Sequence, residues 1–391
     1  MTRRKLMLIL PVAIAALLVT AMLIAALPIV PASRAQTTSR DVDGSSDRPA
    51  EDLESRFDNA EAYDKESIEA DPYAPDDSET ADSDSSTSTT SAAAAAPAAK
   101  LYPIPVPLPG GLAHVANGVG TRDAGYGTIR TRGVPPGSVR VGAYLYWGTI
   151  QTAPPPTQTI LFKGVPVTGR LIGTGPSCWS CGGTFGAYRA SVISLVNPGI
   201  NGDYLVSRMP SAITNGSDPW NSPCMLPLSE GASLVVAYAH SSIPPTARLY
   251  INDGAAFFAA GSINIFNPLP MPVPPYKQLK HTRLGGDGQV VRSAGTLTNV
   301  PVPNGTFSTL PITNERTFLG PALTQIKGPG SPFNGDSDWN GDDGVPLNQL
   351  WDTHTDSFSK ALIPFGAPSY NVMYTANGDC IYAVAHILNT F

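Results

Sequence analysis

The chain has 391 residues and a formal net charge of −6, but the charge is unevenly placed: residues 36–100 hold 17 acidic and 5 basic side chains, and 101–391 hold 14 acidic and 16 basic. The later region therefore lacks the basic face that nucleic-acid binding needs. Its charged fraction, about a tenth against roughly a quarter in typical globular proteins, leaves Gly, Pro, Ser, Thr and Asn to fill the gap, as in an exported, turn-rich β protein.

Residues 1–35 open with Arg3, Arg4 and Lys5, followed by an apolar run from Leu6 to Val30 and then the small residues Ser33 and Ala35. That layout predicts an export signal. The run also reaches the roughly 20 residues that an apolar helix needs to cross a bilayer. Cleavage after Ala35 and retention as a hydrophobic signal-anchor helix both fit, and either puts the rest of the chain outside the cytoplasm. Membrane contact is expected only through this segment.

Residues 36–100, with "DDSETADSDSSTSTTSAAAAAPAA", contain few bulky apolar residues. Such a chain cannot bury enough surface to offset its conformational entropy, so a disordered acidic linker is expected. As a flexible coil it spans on the order of 45 Å, enough for a spacer. An acidic propeptide or a glycosylated stalk are the other readings.

From residue 101 onward strand signals dominate and no amphipathic helix is evident. In "SVRVGAYLYWGT", Val139, Val141, Ala143, Leu145 and Trp147 alternate with Arg140, Gly142, Tyr144 and Tyr146, which predicts one core-facing face and one face of exposed tyrosines. "TILFKGVPV", "AYRASVISLV", "GDYLVSR", "ASLVVAYAH" and "TARLYINDG" follow, broken by Gly, Pro, Asn and Asp turns. These define a first β-sandwich over 101–266. "NPLPMPVPPY" at 267–276 has five prolines; it cannot be a central strand and reads as an extended connector. A second strand series over 277–391 predicts a second sandwich. "GASLVVAYAH" loosely matches "GDCIYAVAHI", and "YRASVISLVNPGINGDYLVSR" matches "HTDSFSKALIPFGAPSYNVMY". The expected fold class is all-β: tandem jelly-roll or β-sandwich units, with a groove between them as the default ligand site.

The four cysteines, Cys178, Cys181, Cys224 and Cys380, predict two disulfides in an oxidising compartment. One scheme joins Cys224 to the 178/181 loop and Cys380 to the remaining loop cysteine. The other pairs Cys178 with Cys181 and Cys224 with Cys380. A zinc knuckle would need a second closely spaced pair, and no helix follows "CWSC" to make it a thioredoxin-type motif.

"NGDSDWNGDDG" at 334–344 is the strongest metal candidate. Asp336, Asp338, Asn340 and Gly341 match the first half of a calcium loop, with the Asp342 carbonyl next in line and Asp343 in reserve. Leu347 stands where a bidentate carboxylate belongs, so this is no EF-hand; either a non-helical Ca²⁺ loop or a hydrated Asn/Asp/Gly turn is expected. Eight residues on, Asp352, His354 and Asp356 alternate and share a strand face. They could supply acid/base chemistry, or form a polar face with Thr353 and Thr355 turned away. His114, His240, His281 and His386 read as strand or turn residues. Asn215-Gly and Asn304-Gly read as turns. No G-x-S-x-G, H-E-x-x-H or phosphate-binding glycine loop is present.

"AYLYWG" (143–148), "GASLVV" and "LWDTHTD…NGDC" (350–356, 377–380) resemble a module of uncharacterised bacterial secreted and surface proteins. The resemblance spans roughly 134–391. In that family the module often precedes adhesin-like repeats and has no established activity; this chain departs from the longer relatives in ending at Phe391 without repeats or a sorting segment, which weakens the inference of a wall-anchored adhesin and leaves the N-terminal run as the expected anchor. The reading that emerges is an extracellular, adhesin-like binding protein without catalytic activity, possessing a surface glycan or protein ligand, with Tyr144, Tyr146 and Trp179 as contacts. A secreted hydrolase acting on polysaccharide or glycoprotein through Asp352, His354 and Asp356, or a structural envelope component, are the alternatives.

Overall fold

The computed structural model describes residues 99–104, 109–217, 219, 222–287, 316–327 and 350–391. The N-terminal segment, the acidic linker and the 334–344 loop lie outside them. In chain order the strands are β1 (Ala99–Lys100), β2 (Tyr102–Pro103), β3 (Leu112–Gly120), β4 (Gly127–Thr131), β5 (Val139–Gln151), β6 (Thr157–Phe162), β7 (Val165–Pro176), β8 (Thr184–Ser191), β9 (Gly202–Ser207), β10 (Leu228–Ala239), β11 (Arg248–Pro268), β12 (Leu279–Gly286), β13 (Arg316–Leu319), β14 (Thr324–Lys327), β15 (Trp351–Phe358) and β16 (Ser369–Thr390). A single 3-10 turn at Ile193–Leu195 is the only helical element among the described residues, none of which forms a helix long and apolar enough to cross a membrane. The all-β expectation holds.

The strands form two eight-stranded sheets. The first runs β3-β10-β5-β8-β7-β6-β9-β4, and β3 and β4 at its two ends lie side by side, curling it almost into a barrel. The second runs β1-β11-β16-β12-β15, with β13 on β16, β14 on β13 and β2 on β11. The sheets change over between Ala239 and Arg248, upstream of the proline-rich stretch. That stretch instead links β11 to β12 within the second sheet. The stretches matched between the halves also fold differently: "GDYLVSR" and "GASLVVAYAH" lie in the separate strands β9 and β10, whereas both of their counterparts fall in β16.

Three apolar clusters hold this together. One fills the inside of the first sheet, around Leu145, Trp147, Phe162, Tyr188, Tyr204 and Leu234. One fills the inner face of the second, around Tyr250, Phe258, Ile265, Tyr370, Tyr374 and Leu388. The third lies between the sheets and draws on both, with Tyr144, Tyr146, Phe185 and Val235 from the first and Ile251, Trp351, Tyr382 and Ile387 from the second. Both faces of β5 are therefore buried, which corrects the expected exposed tyrosine face: Tyr144 is 5% and Tyr146 0% exposed. Val141 leaves the face it was expected to share with Ala143. It is skipped in the pairing, where Gly142 faces Ala237 and Arg140 faces Tyr238, so this one-residue bulge turns Val141 to the tyrosine side.

Trp351 explains why the glycines of the motifs matter. Its indole is fully buried between the sheets, against Gly148 and Gly231, which pair directly across β5 and β10, and Gly286, its own partner on β12. A methyl at Gly148 would come within 2.7 Å of Phe185 and 2.9 Å of the indole; one at Gly231 would come within 2.6 Å of both Trp351 Cβ and the Val119 carbonyl. Trp351 Nε1 donates to Ser233 Oγ at 2.8 Å. The "YWG", "EGASL" and "LWD" segments thus build one intersheet contact.

Two disulfides brace one end. Cys181–Cys224 closes a separation of 43 residues, and Cys178–Cys380 closes 202 and ties the loop after β7 to β16. This is the first of the two expected schemes. On a chain-entropy account the two bonds are worth about 4 and about 5 kcal/mol. With every cysteine paired, the folded region belongs to an oxidising, extracytoplasmic environment.

Candidate functional site

The pleat of β15 sets the first candidate. Asp352, His354 and Asp356 share a face, opposite Gly285, Arg283 and His281 on β12, with His386 beyond Arg283 on β16. Trp351, Thr353 and Thr355 point toward the first sheet: Ser233 Oγ of that sheet meets Thr353 at 2.8 Å, and Thr282, the β12 neighbour, meets Thr355 at 2.7 Å. The shared face is as expected, but it turns to the inner core of the second sheet and away from the intersheet space.

There the acidic groups are already engaged. Arg283 Nη2 donates to Asp356 Oδ2, and Lys327 Nζ lies 3.5 Å from Asp356 Oδ1. With a cation on each oxygen, Asp356 is not placed to take a proton from a substrate. His354 Nε2 sits 3.5 Å from Asp352 Oδ1, which leaves this pair as what remains of the acid/base reading. Arg283 Nη1 donates to His281 Nδ1 at 2.8 Å, so His281 carries its proton on Nε2 and is neutral. Burial first, then the charges of Arg283 and the neighbouring histidines, pushes its pKa well below the usual range. His386 Nδ1 donates to Asn267 Oδ1 at 2.9 Å, leaving Nε2 to accept from the Tyr374 hydroxyl at 2.6 Å. On the intersheet face, His114 is bonded to Asn389 at 3.1 Å and Thr282 at 2.7 Å. Its pKa is also well below normal, through burial first and Lys280 second. These histidines are core strand residues, and His240 sits in a turn bonded to Ser242.

The second candidate lies at the disulfide end. Arg122, buried, donates to the Glu230 carboxylate and, at 3.2 Å, to the Ser229 carbonyl. The Trp179 ring covers the Arg122 guanidinium at 4.2 Å, and Trp179 Nε1 donates to Asp287 Oδ1 at 2.6 Å. Tyr382 accepts from the Cys178 amide and donates to the Pro176 carbonyl, each at 2.8 Å. Burial raises the Glu230 pKa, against the opposing pull of Arg122. Asp287 has a carboxylate oxygen within 4.8 Å of the sulfurs of Cys178 and Cys380; bonded to each other, those sulfurs offer no thiolate to a metal. The half-buried Trp179 is thus occupied as a lid on Arg122. Sequence spacing gave no hint of this cluster. The available signal was charge scarcity: Arg122 and Asp123 in "GTRDAG" and Glu230 in "LSEGASLVV" are isolated charges in a charge-poor region, as buried pairs are.

A third buried pair explains the tyrosines. Arg189 and the Tyr146 hydroxyl (3.0 Å) both donate to Asp253 Oδ2, bridging β5 and β8 to β11. Burial and the Asp253 charge hold the Tyr146 pKa well above normal. Tyr144 and Tyr146 are intersheet glue, so neither can meet a surface ligand.

Exposed features are fewer. A shallow hollow of about 220 Å³ lies over Gln151, Thr152, Ala153, Leu226 and Pro227, below the roughly 300 Å³ at which ligand pockets begin. Exposed apolar side chains also occur where the end of β11 and the proline-rich segment meet the loop before β16. Phe365 is 72% exposed, Met271 45% and Phe266 37%. Backbone bonds lace the two segments together: Val273 N to Ala367 O at 3.0 Å, Gly366 N to Val273 O at 2.8 Å and Leu269 N to Pro368 O at 2.9 Å. The Tyr276 hydroxyl adds a bond to the Ile363 carbonyl at 2.7 Å. The 267–276 stretch, expected only as a connector, is thus half of a fixed apolar edge. The acidic 336–343 residues lie outside the described residues.

No family model matches the sequence, and no curated protein matches it. Among solved structures, wild-type BuGH86 in complex with neoagarooctaose aligns over 72% of this chain and 34% of its own, at 9% identity and a TM-score of 0.19. A variant of that protein in the same complex aligns over the same shares at 10% identity and a TM-score of 0.20. The chain spans about a third of their length, and a likeness of this size carries no argument about fold or activity.

Proposed function

We propose that this chain is an exported binding protein without catalytic activity, held at or released from the membrane by residues 1–35 and presenting its folded region to a surface partner. The observation that carries this reading is the fixed apolar edge at Phe266, Met271 and Phe365. An apolar display of this kind, backed by hydrogen-bonded backbone, marks an interaction surface more often than it marks a core defect. The acidic groups offer the complementary support. Asp356, Glu230 and Asp253 are each tied to a buried arginine, which suits a rigid scaffold better than a proton-transfer site. The 336–343 segment is proposed as a calcium loop, since millimolar calcium outside the cell tolerates weak sites.

The test is a binding screen of the purified full chain against a glycan array and a panel of envelope proteins, repeated with Phe365→Ser/Met271→Ser. A saturable partner lost in the variant, with the melting temperature unchanged, supports the reading. Binding that survives the double substitution, or release of cleaved glycan by the wild type, overturns it.

A further inference from the structure

We infer that the edge carrying Phe365 seats on an anionic lipid surface. The inference rests on the reading that this edge is where the protein binds, and it names the partner. Three observations select lipid. First, exposed lysines flank the segments that carry the exposed apolar side chains: Lys100 lies beside Phe266 in the sheet, and Lys277 and Lys360 lie within three residues of the bonded pair Tyr276 and Ile363, while neither 254–286 nor 357–378 contains a single Asp or Glu. An apolar tip within a basic rim is the pattern that inserts among acyl chains while cations meet headgroups. A sugar-binding face would set carboxylates beside its rings to accept hydrogen bonds from the hydroxyls, and these two segments supply none.

Second, Phe365 is carried on a turn before Gly366, whose φ of +79° suits glycine and few other residues. The turn is held to Val273 in both directions, so the ring projects at little cost in ordering. Third, the chain enters the fold at this edge: β1 runs parallel to β11 with Ala99 beside Ile265 and Lys100 beside Phe266. With residues 1–35 held in a membrane, as proposed above, the chain reaches the fold from the bilayer at this edge.

The test uses the full chain reconstituted in vesicles of phosphatidylcholine alone, or mixed with phosphatidylglycerol, each with and without bromine on the acyl chains. Phe365→Trp adds one reporter, and the wild type gives the background of the native tryptophans. In anionic vesicles the added emission should shift to the blue and be mostly lost to bromine, and high salt should restore it. Lys277→Gln/Lys360→Gln should reduce docking roughly fivefold per lysine, an effect absent in phosphatidylcholine vesicles. Added emission that bromine leaves untouched in anionic vesicles overturns the lipid assignment. If a glycan or protein from the screen then quenches or shifts the same reporter, the binding reading stands and only the partner is wrong. If nothing does, both fall.

Discussion

Adding one methyl group at Gly148 tests the intersheet packing at its tightest point. The three atoms nearest the methyl are all ring atoms, Phe185 at 2.7 and 3.0 Å and Trp351 at 2.9 Å. Both rings are fully buried and have little room to give. Overpacking of this size costs about 1–3 kcal/mol, offset by up to about 1 kcal/mol because alanine loses less freedom than glycine in a strand; Gly148→Ala should therefore lower stability by about 1–2 kcal/mol. Trp351→Ala empties a fully buried site and should cost about 3–5 kcal/mol. In the double variant the methyl fills space the indole left, so the loss should fall short of the sum by about 1 kcal/mol. Gly231→Ala supplies the contrast. Its methyl meets Trp351 Cγ at 2.4 Å, which Trp351→Ala removes, but also Trp351 Cβ and the Val119 carbonyl, each at 2.6 Å, which both remain, so the rescue there should be smaller than at Gly148. Urea unfolding of the single and double variants measures all of this. Equal rescue at both glycines, or none at Gly148, would refute the packing argument.

Three further outcomes follow. Asp356→Ala strands Arg283, whose side chain is fully buried, and should cost about 3 kcal/mol after allowing for the partial exposure of Asp356. His354→Ala should cost under about 1 kcal/mol, and similar losses for the two in urea melts would undo the assignment of Asp356 as a structural ion pair. His114 and His281 have folded pKa values well below normal, so below about pH 6.5 the unfolded chain binds the extra protons and stability falls with pH. Together they should remove about 4 kcal/mol between pH 7 and pH 5, and His281→Gln should remove about half of that dependence in urea melts at the two pH values. Chelation of calcium should lower the melting temperature of the full chain, and Asp338→Ala should abolish that shift; identical melting curves with and without chelator contradict the calcium loop.

How legible each feature was depended on how local its cause is. Period-two alternation revealed the strands and put Asp352, His354 and Asp356 on one face, because pleating acts within a strand. Four cysteines gave two bonds, though only the fold could choose the pairing. Tyr144 and Tyr146 were misplaced because alternation reports two faces but not that a second sheet covers the polar-looking one. Val141 was misplaced because a bulge needs the partner strand to define it. Arg122 with Glu230, and Arg189 with Asp253, join residues far apart in sequence, so no spacing rule could pair them. The proline-rich stretch looked like a mere connector because its role comes from bonds to 363–368, supplied by the far end of the chain.

Hydroxyl-radical footprinting of the full chain, in anionic vesicles against neutral detergent, is the most direct test of where this protein makes contact. It reads oxidation side chain by side chain, and the exposed set includes both proposed contacts and controls. Protection confined to Phe266, Met271 and Phe365, with Tyr126, Met225 and Trp179 oxidised as before, is the result expected. Protection of Trp179 and Met225 at the disulfide end, with Phe365 and Met271 unchanged, would contradict it.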